Sequence, residues 1–96
     1  MADIRIHHYI VDAKDFDEFL TRRAALIAAI RAGHPGMIEA RLIRLGGDTF
    51  IDTWRWDSAE HMQAGFAAAP TIPEIPAAMS LTRDATNDDG EIVDER

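Results

Sequence analysis

The chain has 96 residues, no cysteine and a formal net charge of −7 at pH 7. A chain of this length fits one small soluble domain with an adequate but not generous core, because it buries only about two thirds of its unfolded surface. The acidic balance, without a Lys/Arg stripe, argues against nucleic acid as a partner, since phosphate binding rests on clustered cations.

No stretch approaches the roughly 20 apolar residues of a membrane helix, so no membrane association is expected. Met1 leads directly into charged residues and a strand pattern, with no apolar signal segment. The lack of cysteine excludes disulfides and thiolate metal sites and agrees with a cytoplasmic location. The charge is unevenly placed. Residues 84–96 hold Asp84, Asp88, Asp89, Glu91, Asp94 and Glu95 against Arg96, a net −5, which leaves −2 for the first 83. Residues from about 87 to 96 therefore read as an acidic, solvated tail.

In chain order, Ile4, Ile6, His8 and Ile10 alternate with Arg5, His7, Tyr9 and Val11, the period of two that marks a strand. Asp12 is placed to cap a helix, with Asp15 as its capping-box partner. Phe16, Phe19, Leu20, Ile27 and Ile30 then recur at helical spacing, which predicts an amphipathic helix over 13–32. Gly33, His34, Pro35 and Gly36 end it.

Met37 to Leu45 reads as a second strand, Gly46-Gly47-Asp48 as the turn of a hairpin, and Thr49 to Trp56 as the third strand. Asp57 or Ser58 caps a second helix, with Met62 and Phe66 four apart on one face. Pro70, Pro73 and Pro76 break the next segment into a loop with one short turn of helix at 74–79. Leu81 to Thr86 is the expected fourth strand, Asn87-Asp88-Asp89-Gly90 has turn chemistry, and Glu91 to Asp94 adds an extended piece.

The order β-α-β-β-α-β is the ferredoxin-like split βαβ arrangement: an α+β fold whose four-stranded antiparallel sheet carries its helices on one face. The other face needs a cover. A second copy of the sheet supplies one, so a homodimer is expected.

Arg23 falls at the centre of the apolar stripe of the first helix, where a guanidinium must find an anion or reach water. Asp52, on the third strand among Phe50, Trp54 and Trp56, is the candidate partner. Two readings are open: a structural ion pair, or an Arg23 free to line a pocket and meet an anionic or phenolic ligand. Trp54 and Trp56 lie two apart on one face and suit either a core or a flat-ligand wall. His7 and His8 point to opposite faces and cannot chelate one metal together. His7 shares its face with Tyr9, where an imidazole is a natural general base near neutral pH. His34 and His61 sit at helix ends. No His/Asp/Glu set has a recognisable metal spacing. Gly-rich phosphate loops and nucleophile elbows are also absent.

The strand at Ile4–Val11, the capped helix, Pro35-Gly36 leading into the second strand, and Trp56-Asp57-Ser58-Ala59-Glu60 ending the third resemble the antibiotic biosynthesis monooxygenase domain of the dimeric α+β barrel superfamily. The resemblance covers roughly residues 3–86, and the Trp-Asp-Ser-x-Glu stretch is its most specific piece. It implies one domain over 1–96 that uses no metal, flavin or haem to oxidise an electron-rich phenol, hydroquinone or anthrone-like aromatic with O2.

By that resemblance Trp56 matches a strand-end Trp that lines the pocket, and His7 a polar first-strand position facing it. Arg23, if free of Asp52, would steady phenolate charge. Tyr9, Phe19, Asp52, Trp54, Met62 and Phe66 are the candidates for the substrate walls. The haem-degrading relatives place a ligating His after the second helix, where Pro70 to Pro76 here contains none. The competing expectation is a non-catalytic dimeric domain that binds a small metabolite or acts as a scaffold. A full Arg23–Asp52 pair, together with bulky side chains filling the space beneath Trp56, would leave no room for a substrate there and count against the oxygenase reading.

Overall fold

A computed structural model describes residues 2–96. The elements are β1 (Asp3–Val11), α1 (Phe16–Gly33), β2 (Met37–Gly46), β3 (Thr49–Trp56), α2 (Ala59–Ala67), α3 (Glu74–Met79) and β4 (Thr82–Glu91), with single 3-10 turns at Ala13–Asp15 and Ala69–Thr71. The strands form one antiparallel sheet in the order β2-β3-β1-β4 with the helices on one face, the ferredoxin-like α+β arrangement. Among the described residues no helix is long and apolar enough to cross a membrane.

Alternation along the two central strands decides what the sheet buries. Tyr9 and Val11 of β1 and Phe50, Asp52, Trp54 and Trp56 of β3 are buried beneath the helices. Leu26, Ile30, Met37, Met62 and Ala78 close around the two tryptophans, while Phe19 packs with Tyr9, Val11 and Phe50. The opposite face carries Ile4, Ile6, His8 and Ile10, all half-buried, beside Ile51 of β3. On β2, Ile43 and Leu45 are 44% and 56% exposed.

The start of α1 differs from the expected capping box. Neither Asp12 nor Asp15 makes a side-chain cap. The Asp15 N–H closes a 3-10 turn onto the Asp12 carbonyl at 2.9 Å, and the Asp12 carboxylate accepts from Arg83 at 3.3 Å. The apolar stripe is also shifted. Leu26 is buried, whereas Leu20 is 40% exposed, because the face towards the sheet runs through 16, 19, 23, 26, 27 and 30. Ser58 is the cap of α2, its Oγ accepting the His61 N–H at 3.1 Å.

The larger correction concerns the C-terminus. Residues 87–90 form no turn: β4 runs through them to Glu91, paired with β1 as Asp3↔Glu91, Arg5↔Asp89 and His7↔Asn87. Local turn propensity yields here to the ladder that β1 offers on its free side. The register shifts between His8 and Ile10, where Asp84 takes φ 56, a left-handed conformation that Asp tolerates better than most residues. The acidic residues are not simply a solvated tail either. Asp89 binds Arg5, Glu95 lies 3.6 Å from Arg55, and the Ile92 N–H donates to the Ala2 carbonyl.

Candidate active site

Between the sheet and the helices lies a cavity of about 190 Å³. Strand β1 supplies Arg5, His7 and Tyr9 to its wall, and β3 supplies Asp52 and Trp54. Leu26 of α1, Phe66 of α2, Ala69, and Ile75 and Met79 of α3 complete it. The wall is almost entirely apolar, so the few polar groups on it decide what it can hold.

Asp52 is already engaged. Its Oδ1 accepts from Arg23 Nη2 at 2.8 Å and from Trp54 Nε1 at 2.9 Å; its Oδ2 accepts from Arg23 Nε at 2.9 Å and from the Tyr9 hydroxyl at 2.7 Å. Four donors fill the lone pairs of one buried carboxylate. Burial, and then the charge and hydrogen bond of Asp52, push the Tyr9 hydroxyl far above its usual range and keep it a donor. For Arg23 burial works against the charge, but the hydrogen bonds and charge of Asp52 outweigh it and raise the guanidinium further. The pair is the structural one of the two expected readings. Arg23 is not free to meet a ligand.

His7 is in the opposite condition. Its Nε2 is shielded from solvent and has no hydrogen-bond partner. The ring lies 5.3 Å from the Trp54 ring and 6.5 Å, edge-on, from Phe66. Burial pulls its pKa below the ordinary 6.5, with Arg5 adding to the effect and Asp52 and Asp89 opposing it. The imidazole is therefore neutral at pH 7, and with its proton on Nδ1 it presents a lone pair at Nε2. A neutral base flanked by aromatic rings on an apolar cavity can accept the proton of a phenol.

Of the residues expected at the site, the structure gathers His7, Tyr9, Asp52, Trp54 and Phe66 on the cavity wall. Trp56 is not on that wall. It is fully buried, 5.6 Å from the Phe66 ring, and its Nε1 has no partner. The reason is Gly65, whose absent side chain lets α2 settle onto the indole; a Cβ there would sit 2.4 Å from it. Phe19 is likewise core, packed edge-on against Tyr9. Met62 is buried and lines a separate outer cleft.

Arg5, Leu26, Ala69, Ile75 and Met79 were not expected from the sequence. Arg5 was within reach, because it shares the alternating face of His7 and Tyr9. Among the described residues no group of three or more His, Cys, Asp or Glu is placed to hold a metal ion.

No family model matches the chain, and no curated protein does. Solved structures do. A point variant of SnoaB, a cofactor-independent oxygenase from Streptomyces nogalater, superposes with a TM-score of 0.80 at 16% identity over 98% of this chain and 95% of its own. A candidate antibiotic biosynthesis monooxygenase from Caulobacter crescentus gives 0.79 at 14% identity, covering 97% and 91%. A protein described as dimeric and ferredoxin-like, from an uncultured marine organism, gives 0.73 at 14%, covering 99% and 90%. At these identities the likeness is one of fold. The chain has the ferredoxin-like α+β fold that SnoaB and the candidate antibiotic biosynthesis monooxygenases share.

Proposed function

We propose that the chain is a cofactor-independent monooxygenase that oxidises a small electron-rich phenol or hydroquinone with O2. The observation that carries this reading is a neutral His7 that lines an apolar, aromatic-flanked cavity while its buried Nε2 has no hydrogen-bond partner. A phenolic O–H donating to Nε2 satisfies the orphan atom and leaves the ring against Trp54. Proton transfer to His7 gives a phenolate, which passes an electron to O2. The two radicals combine into a C–O bond, and O–O cleavage completes the reaction. For a phenol with an open para position the balance is phenol plus O2 to quinone plus water, one oxygen atom entering the ring and the other leaving with both lost hydrogens. The dry walls favour the step by keeping water from competing for the base.

Arg23 has no part in this scheme, being bound to Asp52, and Trp56 supports the wall from behind. The full Arg23–Asp52 pair meets one of the two conditions that count against the oxygenase reading. The other is met as well, since Trp56 is packed among Leu26, Ile30, Met37 and Met62; room for a substrate lies instead beside Trp54, and the enzyme reading rests on that space. Oxygen uptake with a panel of one-ring phenols and hydroquinones tests the proposal. Protein-dependent uptake that turns a phenol into a quinone carrying one oxygen from labelled O2 supports it, and saturable binding without uptake would replace it with the small-molecule-binding alternative.

The isoleucines of the open sheet face are the second element of the proposal. Ile4, Ile6, Ile10 and Ile51 are half-buried and Ile43 is exposed, an apolar surface of the kind a second copy covers. The dimeric marine neighbour supports the same arrangement. Light scattering at micromolar concentration is expected to give twice the 10.7 kDa chain mass, and a monomer would contradict it.

A further inference from the structure

Arg5 stands in the wall of two spaces at once. One is the cavity beside His7. The other is a more open cleft of about 480 Å³ between α2 and the β1–β4 edge, walled in part by Met62, Gln63 and Asp89. Among the described residues Phe66 is the only other one common to both linings. The Arg5 guanidinium carbon lies 3.5 Å from the Phe66 ring centroid, and its Nε and Nη2 donate to Asp89 Oδ1 and Oδ2 at 2.6 and 2.8 Å. Between the spaces stand Arg5 and Phe66, stacked on each other, with one ion pair holding Arg5 in place.

That hold is bidentate and stacked, and it lies at the surface. The Arg5 and Asp89 side chains are 21% and 44% exposed, so the pair is screened by salt and can exchange with water in a way that the buried Arg23–Asp52 pair cannot. Asp89 also sits on an edge strand, where its side chain has room to turn. The volumes give the consequence. A cavity of about 150 Å³ takes one benzene ring with room to spare, so 190 Å³ suits one substituted ring or a compact pair of fused rings and falls short of a three-ring system.

We propose that Arg5 is a swinging partition that sets ligand size: in place it limits the site to aromatics of one or two small rings, and swung away it joins cavity and cleft into one site for fused systems of three or more rings. The first ring then stays in the cavity beside His7 and Trp54 while the others occupy the cleft beside Met62. The proposal rests on the reading of the cavity as an aromatic site, but the partition itself can be tested without any ligand.

Diethyl pyrocarbonate acylates neutral imidazole nitrogens, and mass spectrometry resolves the rate at each histidine. At pH 7.5 in the intact protein, His7 is expected to react slowly compared with His34 and His61. Both Arg5→Ala and Asp89→Asn should raise the His7 rate tenfold or more and leave His34 and His61 unchanged. Asp89→Asn lies on the exposed edge and keeps Arg5, so it remains informative if Arg5→Ala folds poorly. An unchanged His7 rate in Asp89→Asn overturns the partition, even if Arg5→Ala is faster, because Arg5 would then be a fixed wall. In a second arm, quenching of tryptophan fluorescence by phenol and by anthrone is compared. Asp89→Asn should tighten anthrone at least tenfold relative to phenol; equal changes for the two ligands overturn the size-setting role. Failure of phenol to bind at all counts against the proposed function and leaves the labelling result standing on its own.

Discussion

Asp52→Asn is expected to destabilise the fold by about 3–5 kcal/mol, the usual cost of removing one member of a buried ion pair. Arg23 would keep its charge, and that charge would face a neutral amide. The asparagine would offer one acceptor oxygen and turn an NH2 group towards donors that need a lone pair. Arg23, Tyr9 and Trp54 all point at the same carboxylate, so at least one buried donor is orphaned whichever way the amide turns.

In urea the midpoint should fall with little change in slope. In a thermal melt each kcal/mol corresponds to roughly 4–8 °C for a domain of this size. Tyr9→Phe removes one donor and leaves three, so its cost should be smaller, about 1.5–3 kcal/mol. A near-neutral Asp52→Asn would show that the network does not hold β1, β3 and α1 together.

His7→Gln is expected to lower turnover of a phenol by about 10²–10⁴-fold, the range for loss of a general base, while leaving the melting temperature close to that of the parent. The pH profile carries the sharper signature. The folded pKa of His7 lies below 6.5 because burial disfavours the imidazolium, so kcat/KM should climb with pH through a value under 6.5 and then level off. In His7→Gln that acid limb should vanish. Stability is linked with the same sign. The unfolded chain takes up the proton first as pH falls, so the contribution of a neutral His7 is present above about pH 6.5 and lost below it. A variant that kept full turnover, or kept the limb, would remove His7 from the chemistry.

Much of the fold was legible because β1 and β3 alternate cleanly and α1 repeats at helical spacing. The placing of Arg23 within the apolar stripe of α1 was enough to point to Asp52 as its anion. The misses have physical causes. Asn87-Asp88-Asp89-Gly90 has strong local turn chemistry, and only the pairing partner β1 turns it into strand.

Trp54 and Trp56 are equivalent by alternation, and nothing on β3 tells cavity wall from core. The distinction is made on α2, where Gly65 admits Trp56 and Phe66 stands over the space at Trp54. Arg5 lies on the same face as His7, but its part in the cavity depends on Asp89, a residue assigned to a tail rather than to a strand. Site geometry was thus least legible where it is assembled by elements far apart in sequence.

The claim on which the rest depends is that a phenol docks with its hydroxyl on His7 Nε2. Long-range ¹H–¹⁵N spectra of the imidazoles, recorded without oxygen during a phenol titration, report on that atom directly. The His7 Nε2 resonance is expected to shift saturably as a hydrogen-bond acceptor, with His8, His34 and His61 unmoved. A His7 resonance that stays in place while phenol saturates the protein would contradict the account.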